Sequence, residues 1–142
     1  TKHKERGKMN RIVKGFRAGE ALPESVPVKI TDGKVYKVTA VTDAVIGVTD
    51  SSAQAGKIAD VIVGGLGFVQ VDGAAAAGDA VIAKANGKAQ KFALSAFADV
   101  TEDTPVTVIG RLLDGDTTGG AYLPAVITCA QVIVPAQKST EG

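Results

Sequence analysis

The residue types from which chemistry is usually built are few in this chain and they do not converge. The one imidazole, His3, stands among charged residues at the N-terminus, where nothing in the neighbouring sequence would hold it for proton transfer. The single thiol, Cys129, lies in the apolar run Val126-Ile127-Thr128-Cys129-Ala130 and has no second cysteine to bridge; a buried, inert side chain is expected. Most carboxylates, among them Glu20, Asp32, Asp72, Asp79, Asp114 and Asp116, stand beside glycines or in turn clusters, where short acceptors stabilise turns. The stretch from Leu113 to Gly120 (LDGDTTGG) is oxygen-rich enough to suggest a hard cation, but it lacks the later Glu and the ligand spacing of an EF-hand loop. It reads as a long polar hairpin loop, and no metal is assigned. Gly64-Gly65-Leu66-Gly67 contains a Gly-x-x-Gly, yet it joins two expected strands and opens no helix, so a bend or a close backbone approach is expected there, not a phosphate loop. With 4% aromatic residues, no Trp and one His, the chain is expected to be no enzyme and to need no cofactor.

Charge points to a different kind of activity. Residues 1–17 hold seven basic residues against Glu5 alone, while the rest of the chain holds nine basic and fourteen acidic residues. A basic arm on a mildly acidic body suits an acidic partner. Within the arm, Arg6, Lys8, Arg11, Lys14 and Arg17 are the candidate charged contacts, and Ile12, Val13 and Phe16 are interleaved with them as candidate apolar anchors. Such a mixture favours docking on a protein, because a purely electrostatic nucleic-acid tail has no use for anchors. A nucleic-acid-binding module using the same arm is the alternative; it predicts affinity that falls steeply with salt, and the acidic body and scarce aromatics weigh against it.

The elements that must carry these groups are strands. Short Val- and Ile-rich runs alternate with Gly, Asp, Asn and Pro at intervals of about ten residues, which is the all-β pattern. Strands are expected at 26–30, 34–41, 45–48, 57–63, 68–71, 80–85, 88–94, 106–113 and 126–134. Asp32-Gly33 and Asn86-Gly87 each divide two such runs and predict tight hairpins with positive φ. One helical turn is expected within 93–99. The hairpins belong to an internal repeat. Ala18-Gly19-Glu20-Ala21-Leu22 is matched by Ala77-Gly78-Asp79-Ala80-Val81, Asp32-Gly33-Lys34 by Asn86-Gly87-Lys88, Val45-Ile46-Gly47-Val48 by Val108-Ile109-Gly110-Arg111, and Asp60-Val61-Ile62 by Ala125-Val126-Ile127. The expectation is therefore an extended arm at 1–17, a body at 18–135 built from two copies (about 18–72 and 77–134) packed as a small β-barrel or β-sandwich, and a flexible tail at 136–142. No run approaches the roughly 18 apolar residues of a membrane-spanning helix, and no membrane partner is expected.

Taken in order, Val45-Ile46-Gly47-Val48-Thr49-Asp50, Ala55-Gly56-Lys57-Ile58-Ala59-Asp60-Val61, Gly78-Asp79-Ala80-Val81, Asn86-Gly87-Lys88-Ala89-Gln90-Lys91 and Val108-Ile109-Gly110 resemble the small capsid decoration, or cement, proteins of tailed bacteriophages, over about residues 18–135. The resemblance implies a non-enzymatic protein on the outer surface of the phage head. It would reinforce contacts between major capsid protein subunits and associate with itself as trimers or clusters. It brings no catalytic residues, and the long basic arm departs from the shortest members.

Overall fold

The computed structural model describes residues 11–138. Nine strands form one mixed sheet: β1 (Arg11–Ala18), β2 (Pro27–Thr31), β3 (Lys34–Lys37), β4 (Gly47–Thr49), β5 (Ile58–Gln70), β6 (Ala80–Lys84), β7 (Lys88–Lys91), β8 (Thr104–Leu112) and β9 (Tyr122–Val134). The strand order is β1-β3-β2-β4-β5-β9-β8-β6-β7, and a further β1–β5 pairing closes β1, β3, β2, β4 and β5 into a ring. The all-β expectation holds.

The turn chemistry acts where the sequence places it. Asp32 and Gly33 both take positive φ, 53° and 76°, and form the two-residue loop between paired Thr31 and Lys34. Asn86 and Gly87 do the same, at 66° and 70°, in a loop that includes Ala85, because Lys84 pairs with Lys88. The expected helical turn is the 3-10 turn Leu94–Phe97, which buries Phe97 against Ile82, Val106 and Val134.

Several boundaries differ from the sequence reading. Residues 11–17 are strand, not arm: β1 pairs antiparallel with β5 from Arg11 opposite Gly65 to Arg17 opposite Ile58. The sheet thus begins at Arg11 where the body was expected to begin at Ala18. Charge density masked the segment, because its inward positions are only Phe16 and Ala18. The expected strands at 57–63 and 68–71 are the single strand β5; the Gly64–Gly67 stretch stays extended, and a Cβ on Gly67 would press within 2.9 Å of Ile127. At the other end, Ala136 donates its N–H to the Asp103 carboxylate, and Gln137 and Lys138 both donate to the Val100 carbonyl. Residues 136–138 are therefore bonded to the body, and 139–142 lie outside the described residues.

Strand pairings show two units of one design. β3-β2-β4-β5 and β7-β6-β8-β9 run in the same order. Val28 opposite Lys37 answers to Val81 opposite Lys91, and Val48 opposite Ile62 answers to Arg111 opposite Val126. β5 serves twice. Its first half is the last strand of unit one and pairs with β1; its second half takes the place of β1 in unit two, pairing with β9. The Ala18–Val35 parallel pairing that helps close unit one recurs as the Val71–Ala89 bridge. The units consequently divide near residues 63 and 64, not at 72–77.

Register also shifts in two segments: Asp60-Val61-Ile62 answers to Pro124-Ala125-Val126, one residue earlier than the sequence match, and the segment before β2 shifts as well. Ser25 N–H bonds the Thr49 carbonyl as Gly78 N–H bonds that of Leu112, so Ser25 is the counterpart of Gly78, and Ala18 that of Val71. The Ala-Gly-acid similarity suggested another alignment because the left-handed position, φ 61° at Ser25 and 90° at Gly78, is filled by glycine in one unit only.

Unit one has its own core of Ala18, Leu22, Val26, Val28, Val35, Ala59 and Val61. The larger core of unit two, with Val69, Val71, Val81, Ala83, Ala89, Leu112, Leu123, Ala125 and Ile127, also takes in Val38, Val45, Val48 and Ile62 of unit one. Unit two therefore covers the outer side of β4 and β5, and the Gly87 N–H to Val38 carbonyl bond (3.1 Å) ties the two together.

Candidate functional site

β1 is where the described part of the candidate contact residues lies, and the sheet sorts them. Phe16 points inward and packs on the unit-one core, so it is an anchor for the protein's own fold. Arg11 is half-buried and ion-paired with Asp50 of the turn after β4. Ile12, Val13, Lys14 and Arg17 are exposed, Ile12 by 60%. Arg6 and Lys8 lie outside the described residues.

Arg17 stands within a basic cluster that the sequence reading missed. It is paired in register with Lys34 of β3, and its guanidinium donates to the Gly56 carbonyl (2.7 Å), beside Lys57. All three cations are exposed, and among the described residues none has a carboxylate within ion-pair distance. The corresponding positions of unit two hold Gln70, Lys88 and Ala121. Lys34 and Lys57 are distant from the arm in sequence, and only the β1–β3 and β1–β5 pairings bring them together.

The remaining candidates are structural. Asp116 accepts N–H bonds from Thr118, Gly119 and Ala121, and the Thr118 hydroxyl bonds it as well. The Thr118 N–H, ahead of the opposing effect of desolvation and with help from the other donors, lowers its pKa below the usual 3.8. Its lone pairs are thus spent on closing the 113–121 loop. Among the described residues no group of three or more His, Cys, Asp or Glu is disposed to hold a metal ion. Cys129 is half-buried at a β8–β9 bulge with φ 48°, and burial pushes its thiol up to about 11, which keeps it protonated.

No protein-family model matches the chain, and no curated protein matches it. Its fold is similar to that of the N base of the head fiber gp8.5 of bacteriophage phi29, with a TM-score of 0.58 and 14% sequence identity, covering 85% of this chain and 97% of that one. At that identity the likeness is one of fold.

Proposed function

We propose that this protein is a structural component of a phage particle, seated on the outer surface of the head and stabilising contacts between major capsid protein subunits. The fold likeness to a phage head fiber base, spanning nearly all of that chain, carries this reading. A structural role also suits a molecule in which Asp43, Asp79 and Asp116 close turns and Asp50 and Asp72 form ion pairs. The docking end is the basic cluster Arg17, Lys34 and Lys57, with the exposed Val13 farther along the same face of β1 as Arg17. Three unpaired cations at adjacent strand ends suit an acidic protein surface, where weak contacts repeated over a symmetric lattice sum to firm attachment.

Co-sedimentation with capsids lacking the protein tests this. Saturable binding of the full chain is expected, and R17E/K34E/K57E should weaken it about tenfold or more, in line with rim-charge effects. Deletion of residues 1–10 leaves β1 and the closed ring in place and measures the preceding segment separately. Absence of capsid binding, with salt-steep binding to DNA instead, would replace the proposal with the nucleic-acid reading.

A further inference from the structure

The two hairpin turns have similar backbone geometry but different chemistry and different surroundings. Asp32 and Gly33 of unit one are both exposed, and a Cβ on Gly33 would meet nothing within 4 Å. Asn86 is exposed as well, but Gly87 is buried. Its N–H donates to the Val38 carbonyl of unit one at 3.1 Å, and a Cβ there would stand 3.2 Å from Val26 and 3.4 Å from Lys37. The unit-two turn is thus seated on unit one, and Gly33 has no such seat. A second tie, from the Val45 N–H of unit one to the Thr107 hydroxyl of β8, is buried in the same contact.

An asparagine followed by glycine is a reactive pair, because glycine has no side chain to hinder its backbone nitrogen. That nitrogen attacks the asparagine Cγ and a C–N bond forms. The Cγ–Nδ2 bond breaks, and the amide nitrogen departs with the glycine proton as ammonia, leaving a five-membered succinimide. Water then opens the ring at either carbonyl and yields aspartate or isoaspartate. Ring closure needs the asparagine Cβ nearly eclipsed with the glycine nitrogen about the Cα–C bond, which for an L residue sets a strongly negative ψ. Asn86 sits at φ 66° and ψ 29°, and the attacking nitrogen of Gly87 is engaged with Val38. Both restraints last only while the turn stays seated.

We infer that Asn86-Gly87 is a spontaneous modification site gated by the contact between the units: it stays an amide while unit two lies on unit one and converts when that contact opens. The isoaspartate product routes the backbone through Cβ and so lengthens the loop between paired Lys84 and Lys88 by one methylene. The lengthened turn no longer fits its seat on Val38, and the opening becomes one-way. The inference stands apart from the capsid-docking proposal, whose residues are Arg17, Lys34 and Lys57.

Incubation of the full chain in mildly alkaline buffer, followed by peptide mass mapping that resolves isoaspartate, tests it. Conversion at Asn86 should be about a hundredfold slower in the folded chain than in the urea-unfolded chain. T107V, which leaves the buried Val45 N–H without its acceptor, should speed conversion about tenfold. Ile62→Ala, trimmed within the shared core, should speed it further. In T107V the Gly87 amide should exchange its hydrogen faster by the same factor as conversion, while the Leu22 amide, bonded to the Ala53 carbonyl within unit one, keeps its wild-type protection. Folded-chain conversion as fast as that in urea overturns the inference, as does conversion that fails to follow Gly87 exchange across wild type, T107V and I62A. Gly87 exchange that rises only in step with that of Leu22 also overturns it, and makes unfolding of the whole chain the gate.

Discussion

The two units share a strand order, a register and two hairpins, yet their outer faces differ. Across β1, β5 and β4, unit one presents Val13, Ile62 and Val48 in one row and Gly15, Asp60 and Asp50 in the next. Across β5, β9 and β8, unit two presents Leu66, Val126 and Arg111, then Phe68, Pro124 and Leu113. Ile62 and Val48 are core residues because unit two lies over them; Val126 and Arg111 face solvent because nothing in the described chain lies over them. Equivalent positions in one backbone design thus have opposite environments. The positions that stay alike are those the backbone itself constrains: Gly47 and Gly110 both pack so tightly on the neighbouring strand that a Cβ would strike the carbonyl of Ile62 or of Val126.

The largest expected effect is the asymmetry of truncating Ile62 and Val126. Ile62→Ala should cost about 3 kcal/mol by cavity formation in the shared core. Val126→Ala, measured in dilute solution, should cost less than about 0.5 kcal/mol; urea unfolding of the two variants gives the comparison directly, and similar costs would mean that unit two does not cover unit one. Next, Gly47→Ala and Gly110→Ala should each cost about 2 kcal/mol, since a strand must shift to admit the methyl group. A loss confined to one would show that the constraint belongs to a unit and not to the shared design.

A smaller effect, of opposite sign, is expected at Ser25, whose φ of 61° matches the 90° of Gly78. Ser25→Gly should stabilise by about 0.5 kcal/mol, because relief of left-handed strain slightly exceeds the entropy glycine adds to the unfolded chain; destabilisation would deny the equivalence of the two positions. The smallest effect is at Asp116, which pairs with Ala75 as Ala53 pairs with Leu22 in unit one. Its folded-state pKa is below the unfolded value of 3.8, so its contribution is present above that pH and is lost as pH falls through the folded value. The Gly119 and Ala121 amide resonances should therefore shift with a midpoint below pH 3.8, those around Ala53 should not follow, and Asp116→Asn should remove the transition.

Much of the fold was legible in local chemistry. The Asp32-Gly33 and Asn86-Gly87 turns depend on positive φ, which few residues adopt, and the Val- and Ile-rich runs alternate on a pleat whose period is fixed at two; both signals are read from neighbouring residues alone. The candidate site was legible only in part. Arg17 stood out by the charge density around it, but Lys34 and Lys57 looked like ordinary surface residues until strand pairing set them beside it. Phe16 reads from sequence as a partner's anchor because its inward direction depends on β1 joining the sheet.

Local sequence thus determined the all-β class, the two hairpins and the existence of a repeat, because turn stereochemistry and side-chain alternation act over a few residues. Tertiary structure decided that β1 belongs to the sheet, that β5 is shared by both units, that Ile62 is buried while Val126 is bare, and that three distant cations meet. Each of those outcomes depends on which strands pair across long stretches of chain, and a bond between Arg17 and its neighbours on other strands has no signature in the residues next to it.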